Sequence, residues 1–457
     1  MKIVVIGGGP GGYEAGILAA KLGAEVTVVE KDELGGTCLN RGCIPTKAFL
    51  ATSDTLEAIQ SAKEFGIDLS GDITIDYPAV VARKNNIRDT LIKGIHGLFK
   101  MYKVALANGT GKIIDKNTVE VTKEDGSVET LKADKIILAT GSVPVAPAMF
   151  KYDGKKVITS DEVLDLETVP KSMIIVGGGV IGCEIGQFMG RMGSKITIVE
   201  ALSQILPNED EDVSKQLARQ LRRDKIKVVA GVGVSEVTVS DKGVKADLAN
   251  GKSVEAEVML VSIGRKSFID NLGAQEAGVE VDDRGRIVVN DKMETSLEGV
   301  YAIGDIVATA QLAHVASKEG FVAVENALGG DKRLSYKAVP GCVYTDPEVA
   351  SVGLTEADCK KKGISYKKGE FDFRGLGKAK AINKLNGFAK VIVDDQDVII
   401  GAAVVGPHAT DLLAELTLAV QLGLTAEQVG DVIHPHPSLS ECLMEALHDV
   451  HGRSVHK

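Results

Sequence analysis

IVVIGGGPGG, at residues 3–12, is the stretch of this chain that decides its fold. Four apolar residues indicate a buried strand, and Gly7, Gly9 and Gly12 then follow with the spacing G-x-G-x-x-G. In dinucleotide-binding folds the first glycine permits a tight turn, the second lets the backbone approach a pyrophosphate, and the third allows close helix–strand packing. The next strand ends in Glu30, whose carboxylate can accept a ribose hydroxyl. The stretch therefore predicts a βαβ dinucleotide site.

The same unit returns in the second part of the chain. Gly177, Gly179 and Gly182 repeat the glycine spacing after the apolar residues 174–176, and Glu200 ends the following strand. A single G-x-G-x-x-G in a glycine-rich chain is weak evidence, but here the strand, the helix and the acid all recur with it. The repeat predicts a second dinucleotide site.

Each unit is also followed by a predicted β-meander. The hairpin signals are Asp-Gly at residues 125–126 and Asn-Gly at residues 250–251. A further apolar strand then closes each unit, and it runs to Gly141 in the first unit and to Gly264 in the second. The chain thus contains two copies of one larger architecture.

A close pair of cysteines, Cys38 and Cys43, lies in the stretch GGTCLNRGCIPTK at residues 35–47. In a straight helix, residues five apart are separated by about 7.5 Å along the axis, beyond the disulfide limit near 7 Å. Pro45 predicts a bend that could bring the sulfurs together, because its ring would clash with the carbonyl group of Arg41, beside the flexible Gly42. A bridge across such a bend should be easily reduced, which suits a redox catalyst better than a structural disulfide. Two buried structural cysteines are the alternative.

Composition excludes several classes of protein. The 457 residues carry a formal net charge of −10, which argues against nucleic acid or an anionic membrane as a partner. No apolar run reaches the roughly 18 residues of a membrane span, and because a strand is predicted from Ile3 onward, no signal peptide is expected. The six cysteines are dispersed apart from one pair, which favours a reducing cytoplasm and offers no zinc cluster.

The last part of the chain, from about residue 340, has a different pattern. Alternating strands at residues 342–344, 389–393 and 399–405 and an apolar helix at residues 409–422 are predicted there, without a glycine fingerprint. The region includes IHPHPSLSE at residues 433–441, in which His436 and Glu441 could act as an acid–base pair. A structural histidine between prolines is the alternative interpretation.

Together these motifs resemble the flavoprotein disulfide reductases, and within that family the branch that oxidises dihydrolipoyl groups. The resemblance covers essentially the whole chain. It implies an α/β fold with two Rossmann-like dinucleotide-binding domains, each with a β-meander, and a C-terminal α+β dimerisation domain. The expected domains are an FAD-binding domain at 1–147, an NAD-binding domain at 148–275, a central segment that completes the FAD side at 276–339, and an interface domain at 340–457.

The resemblance also implies roles for single residues. Asp305 follows a predicted strand, where its carboxylate could belong to a turn, and it matches the residue that contacts the ribityl chain of FAD. Lys47 and Glu184 match a pair near the flavin and the nicotinamide. No metal ligand is expected. The implied catalytic residues are Cys38, Cys43, His436, Glu441, Lys47 and Glu184; those for FAD are Gly7, Gly9, Gly12, Glu30, Gly36, Thr37, Lys47, Thr140, Gly141, Gly304 and Asp305; those for NAD are Gly177, Gly179, Gly182, Glu200 and Gly264.

The implied reaction joins thiol exchange to hydride transfer. His436, oriented by Glu441, takes a proton from a dihydrolipoyl thiol, the thiolate attacks Cys38, and Cys43 passes the electrons to FAD and on to NAD. The implied partners are a second copy of the chain in a homodimer, whose His436 serves the opposite dithiol, and the lipoyl domains of 2-oxo acid dehydrogenase complexes or of a glycine cleavage carrier protein.

Other functions stay open on sequence alone. Arg41 stands where dihydrolipoyl-oxidising relatives commonly have Val, and its charge is expected to favour thiolate at the dithiol. This departure leaves room for a related NAD(P)H-dependent reductase with another low-molecular-weight disulfide substrate. An NADH diaphorase or oxidase flavoprotein, or a nucleotide-binding structural or sensor protein, would leave the Cys38–Cys43 pair and His436 without a role.

Glu200, the acid of the second glycine unit, predicts a preference for NAD over NADP. Glu200 can bind the 2′-hydroxyl of NAD and would repel a 2′-phosphate, and residues 201–203 contain no arginine to receive one. We expect kcat/KM for NAD to exceed that for NADP by at least about tenfold, a difference of 1.4 kcal/mol. Steady-state kinetics with both nucleotides test this, and comparable values would contradict it.

Overall fold

A parallel sheet built on the first glycine motif forms the first region of the computed structural model, which describes residues 1–457. Its inner strands are buried on both faces along most of their length, as their runs of Val, Ile and Leu predict, whereas the edge strand Ala105–Asn108 has no fully buried residue. In spatial order they are Val300–Ala302, Lys135–Leu138, Lys2–Ile6, Glu25–Glu30 and Ala105–Asn108. The helices are Pro10–Lys21, Gly36–Arg41, Cys43–Gln60, Tyr77–Tyr102 and Ala313–Ala327. The meander is Thr110–Asp115, Thr118–Thr122 and Val128–Lys132.

The second region repeats this arrangement around the second glycine motif. Its parallel strands are, in spatial order, Lys227–Ala230, Lys195–Glu200, Ser172–Val176, Val258–Val261 and Val157–Ile158. Its helices are Val180–Arg191 and Glu211–Arg223, and its meander is Val234–Ser240, Gly243–Leu248 and Ser253–Ala256. In both regions the glycine loop follows the central strand at its carboxyl end, where nucleotide ligands bind in such sheets.

The third region is an antiparallel sheet with helices. In spatial order its strands are Gly341–Val343, Glu348–Gly353, Ile399–Gly406, Phe388–Val393 and Lys367–Asp372. Its helices are Glu356–Lys362, Gly377–Ala381, Ala409–Leu422, Ala426–Gly430 and Glu441–Asp449. The predicted fold class is therefore confirmed, with two Rossmann-like units and a C-terminal α+β part.

Short elements complete the chain and connect its regions. A two-stranded ribbon pairs Ser142–Pro144 with Arg265–Ser267 and so links the ends of the two closing strands. The 3₁₀ helices are Ala62–Phe65, Ala148–Phe150, Glu162–Asp165, Gly304–Ile306 and Phe373–Gly375.

No helix in the structure is both long enough and apolar enough to span a bilayer.

The dithiol segment differs from the single bent helix that the sequence predicts. Two helices meet at Gly42, whose φ of −150° and ψ of −116° end the first helix and precede the second. Pro45 lies in the first turn of the second helix, where a missing N–H breaks no intrahelical hydrogen bond. The bend therefore arises at Gly42 and not at Pro45.

The third sheet also has two strands that the sequence analysis did not identify. Lys367–Asp372 is an edge strand with charged residues, so it lacks a continuous apolar pattern. Glu348–Gly353 is short and becomes a central strand only through pairing with Gly341–Val343 and Ile399–Gly406. Each strand is incorporated into the sheet by a partner that comes later in the chain, Ile399–Gly406 for Glu348–Gly353 and Phe388–Val393 for Lys367–Asp372.

The largest hydrophobic cluster joins all three regions. It includes Phe49 of the helix Cys43–Gln60 (the dithiol helix), Phe188 of the helix Val180–Arg191 (the second nucleotide helix) and Val405 of the third sheet. The rings of Phe49 and Phe188 are stacked, with centroids 4.6 Å apart. This buried contact holds the helix that carries Cys43 against the helix that carries Glu184.

Candidate active site

One large cavity, of about 1550 Å³, lies where the three regions meet. Both glycine loops reach it, through Gly9 and Gly179, and the dithiol lines it between them. Every residue predicted for FAD lines this cavity, as do Lys47 and Glu184. A single space thus connects the first glycine loop, the cysteines and part of the second loop.

The two cysteines lie together across the helix break. The interaction of the two thiols with each other raises the pKa of Cys38 and lowers that of Cys43 to about 7. Burial opposes the change at Cys43, whereas the Lys47 ammonium adds to it. The thiols titrate as a coupled pair in which Cys43 is the more acidic member.

Lys47 and Glu184 form an ion pair on the wall of the cavity. Lys47 Nζ lies 3.0 and 2.8 Å from the two carboxylate oxygens of Glu184, and the Glu184 side chain is only 3% exposed. The backbone N–H of Tyr344 donates to Glu184 Oε1 at 2.8 Å. Lys47 Nζ also lies 4.3 Å from the centre of the Tyr344 ring. The pair therefore connects the dithiol helix, the second nucleotide helix and the third region.

The first glycine loop leaves space for a ligand that approaches the backbone. A Cβ at Gly12 would lie 1.9 Å from the Gly7 carbonyl oxygen, so only glycine lets this helix pack on the turn. A Cβ at Gly9 would meet nothing closer than 3.9 Å. The helix Pro10–Lys21 begins without a side-chain cap, and its first N–H groups can receive an anion.

The second loop repeats this geometry closely. A Cβ at Gly182 would lie 2.0 Å from the Gly177 carbonyl oxygen, and a Cβ at Gly179 would meet nothing within 4 Å. The helix Val180–Arg191 also starts without a side-chain cap. Of the residues predicted for NAD, Gly179 lines the large cavity, whereas Gly177, Gly182, Glu200 and Gly264 do not.

In each unit, backbone N–H groups hold the acid that ends the strand after the glycine loop, Glu30 in the first unit and Glu200 in the second. Such contacts fix each carboxylate at the edge of its glycine loop, where a ribose would lie. Glu30 accepts from Gly8 at 2.7 Å and Asp32 at 2.9 Å, and Glu200 accepts from Gly178 at 2.7 Å and Leu202 at 2.7 Å.

Sequence reasoning missed three residues that shape the first nucleotide site. Arg265 donates from Nε to Ser142 Oγ at 2.8 Å, and Ser142 Oγ in turn donates to Asp305 at 2.5 Å. The buried Glu319 accepts from the Gly304 N–H at 2.6 Å and so holds the loop that carries Asp305. The only sequence signal was the place of Arg265 directly after Gly264, because the other contacts join distant parts of the chain.

His436 and Glu441 form their predicted pair at the surface, away from the cavity. His436 Nδ1 lies 2.8 Å from Glu441 Oε1, and the Ser438 N–H donates to Glu441 Oε2 at 2.9 Å. Burial acts to raise the pKa of Glu441, but these hydrogen bonds outweigh it and lower that pKa. The His436 side chain is 78% exposed, and neither residue lines the cavity within this chain.

Arg41 is paired with a carboxylate near the dithiol. Its guanidinium forms a salt bridge with Asp32, and both side chains are partly exposed. Arg41 also lines the cavity together with the two cysteines. Lys47 is the cation that lowers the pKa of both thiols most. The expected influence of Arg41 on the thiolate stays a prediction.

Comparison with known proteins agrees with this geometry. Residues 1–320 match the family described as pyridine nucleotide-disulphide oxidoreductase, and residues 339–447 match the dimerisation domain of that family. The chain is 42% identical to mitochondrial dihydrolipoyl dehydrogenase 1 of Arabidopsis thaliana, over 99% of this chain and 91% of that protein. It is 40% identical to dihydrolipoyl dehydrogenase of Bacillus subtilis, over 99% and 98% of the two chains.

Solved structures give the same result. The crystal structure of LpdA from Mycobacterium tuberculosis superimposes with a TM-score of 0.92 at 28% identity, covering 98% of this chain and 99% of that one. The flavoprotein disulfide reductase RclA of Escherichia coli, as its Cu(II) complex, gives a TM-score of 0.88 at 25% identity over 98% of each chain. The chain therefore belongs to the pyridine nucleotide-disulphide oxidoreductases, and its cofactors are FAD and NAD.

Proposed function

We propose that this chain is a dihydrolipoyl dehydrogenase, which oxidises protein-bound dihydrolipoyl groups and reduces NAD. The observation that carries the proposal is the single cavity in which the Cys38–Cys43 pair lies between two glycine loops, beside the Lys47–Glu184 ion pair. The identity of 40–42% to dihydrolipoyl dehydrogenases over nearly the full chain supports the choice of substrate.

The donors around the first glycine loop fit FAD. The open space at Gly9 and the uncapped helix start suit a pyrophosphate, and Glu30 suits a ribose. Asp305 and Arg265 would face the rest of the cofactor along the cavity. When bound, FAD supplies two-electron redox chemistry between the dithiol and the nicotinamide. The corresponding space at Gly179 would hold the NAD pyrophosphate, with Glu200 at its ribose.

The chain's own chemistry is thiol–disulfide exchange. With Cys38 and Cys43 joined as a disulfide, a substrate thiolate attacks the sulfur of Cys38, and Cys43 leaves as a thiolate. The second substrate thiol then attacks the mixed disulfide, which forms the lipoyl disulfide and releases Cys38. The assignment of Cys43 as the leaving group is supported by its pKa of about 7, because a more acidic thiol leaves faster.

The base for this exchange is assigned to His436 of a second subunit. Glu441 would hold the ring through Nδ1, leaving Nε2 to take the proton of the substrate thiol. Within one chain the ring is exposed and outside the cavity. Exposed apolar side chains flank it, including Ile433 at 95% exposure and Val432. Together with the match to a dimerisation domain, these features support a homodimer with composite sites.

The finer assignments belong to the same proposal. We place the domain boundaries at residues 147, 275 and 339, with the strand Val300–Ala302 giving the central segment its place in the first sheet. We assign the lipoyl domains of 2-oxo acid dehydrogenase complexes, or a glycine cleavage carrier protein, as partners. We also assign a cytoplasmic location, which the dispersed cysteines favour.

Substrate assays test the function directly. We expect NAD reduction by dihydrolipoamide, with kcat/KM at least about tenfold above that for NADPH oxidation by glutathione disulfide, a preference of 1.4 kcal/mol or more. Cys38→Ser and Cys43→Ser should each abolish this reaction and leave FAD bound, as checked by absorbance. A wild-type protein that reduces glutathione disulfide faster than it oxidises dihydrolipoamide would contradict the assignment.

The acidity of Cys43 predicts a pH dependence. Its pKa of about 7 means that alkylation of Cys43 in the reduced holoenzyme should rise with pH through about pH 7, since only the thiolate reacts. Lys47→Met removes a charge that lowers this pKa, so its alkylation midpoint should move to higher pH. Mass spectrometry of the Cys43 peptide measures both profiles. Arg41→Val tests the expected effect of the Arg41 charge on the thiols, and a midpoint that stays at the wild-type value would contradict that effect.

Subunit mixing tests the composite site. We prepare a heterodimer of one Cys38→Ser chain and one His436→Gln chain, purified through two different tags. If the base comes from the partner, both lesions fall in one site, and the other intact site should give about half of the wild-type activity. The His436→Gln homodimer should lose about 10²–10⁴-fold in turnover. An inactive heterodimer would show that each chain uses its own His436.

A further inference from the structure

One face of the second nucleotide helix binds a short segment of the third region. Glu184, Gln187 and Arg191 are spaced i, i+3 and i+7 on the helix Val180–Arg191, so they lie on one side of it. All three contact residues 344–346, which follow the strand Gly341–Val343. A segment of the third region is thereby aligned along the helix that carries Glu184.

Gln187 makes the central contact of this face. Its Oε1 accepts from the Asp346 N–H at 2.7 Å, and its Nε2 donates to the Asp346 carbonyl oxygen at 2.7 Å. Nε2 also donates to Asp224 at 2.8 Å. Gln187 is 1% exposed, so water cannot replace these bonds. The amide therefore pairs with both backbone groups of one residue, as a neighbouring strand would.

Arg191 fixes the side chain of the same residue. Its Nη2 lies 3.0 Å from Asp346 Oδ2, and Nε lies 3.5 Å from Asp224. Lys384 contacts Asp346 as well, at 3.2 Å. Asp346 is thus held by its backbone through Gln187 and by its carboxylate through two cations, and the segment has little freedom to move along the helix.

Tyr344 lies two residues before this anchor and contacts both members of the ion pair. Its N–H donates to Glu184 Oε1 at 2.8 Å, and the centre of its ring lies 4.3 Å from Lys47 Nζ. The phenol makes no hydrogen bond that fixes the ring, and the side chain is 38% exposed. The position of Tyr344 therefore depends on its backbone, which the anchor at Asp346 sets.

We propose that Gln187 is a positioning residue of the site, which holds the Lys47–Glu184 pair at the dithiol by fixing Asp346 and, through it, Tyr344. The inference deepens the proposed function but rests only on the dithiol and the ion pair, not on the identity of the disulfide substrate. Gln187 does not touch the cysteines, so its effect must pass through Tyr344.

The readout is the ionisation of Cys43. The titratable and charged groups that influence it are Cys38, Lys47, Glu184 and Arg265, with the Tyr344 phenol nearby. Lys47 lowers the pKa of Cys43 and Glu184 raises it, with the Lys47 effect the larger. Loosening the pair should therefore raise the pKa of Cys43. A variant that only weakens folding would leave this pKa unchanged.

The experiment compares Gln187→Leu with a matched control in the reduced FAD-bound enzyme. Asn326 is also a buried amide, and it binds the N–H and the carbonyl oxygen of Lys332 at 2.7 and 2.8 Å, in contacts that involve no site residue. Each leucine variant should lower the melting temperature. We expect the Cys43 alkylation midpoint to rise by about one pH unit in Gln187→Leu, which at pH 7 slows alkylation about fivefold. Asn326→Leu should match wild type.

A second pair of variants covers the case in which Gln187→Leu does not fold. Tyr344→Leu removes the ring beneath Lys47, whereas Tyr344→Phe keeps it, and the partly exposed position should tolerate both. We expect the Cys43 midpoint to rise in Tyr344→Leu and to stay unchanged in Tyr344→Phe.

The outcomes separate this inference from the proposed function. A Gln187→Leu profile that overlays wild type, or a Tyr344→Leu profile that overlays Tyr344→Phe, would overturn the positioning role. Neither result depends on dihydrolipoamide turnover, which is measured separately. A protein that does not oxidise dihydrolipoamide but shows the shifted midpoints would refute the substrate and leave the role of Gln187 in place.

Discussion

The ion pair between Lys47 and Glu184 is the contact on which the rest of the site depends. A buried carboxylate is costly unless its oxygens are paired, and Glu184 finds its partners in two other regions of the chain. Lys47 comes from the dithiol helix, and the Tyr344 N–H comes from the third region. The pair therefore forms only when all three regions have come together. The same assembly stacks Phe49 on Phe188, so apolar packing and charge pairing fix one arrangement.

The two nucleotide units carry loops with the same backbone geometry and different surroundings. The crowding at Gly12 and Gly182 is nearly equal, and so is the open space at Gly9 and Gly179. The surroundings differ because each unit is continued by a different segment of the chain. The dithiol helices continue the first unit and close the cavity over it, whereas only Gly179 among the predicted residues of the second loop reaches that cavity. One loop geometry can thus serve a cofactor held in the cavity and a nucleotide that reaches it from outside.

Within one chain, the acidic thiol and the carboxylate-bound imidazole lie apart. Cys43 lines the cavity and is made acidic by Cys38 and Lys47, while His436 lies exposed on the third region, held by Glu441. An exposed imidazole held by a carboxylate through Nδ1 leaves Nε2 directed outward. Under the proposed function, this separation would give a second copy of the chain a chemical task as well as a structural one.

The sequence alone determined the α/β class, the two glycine loops, the meanders and the pairing of Cys38 with Cys43 and of His436 with Glu441, because these depend on local spacing. It located the bend of the dithiol at Pro45, which was wrong for a local reason, because Gly42 breaks the helix. The roles of Arg265, Glu319 and Gln187 were decided only by the tertiary structure. Each of these side chains acts through partners that folding brings from distant parts of the chain, and no local pattern records such contacts.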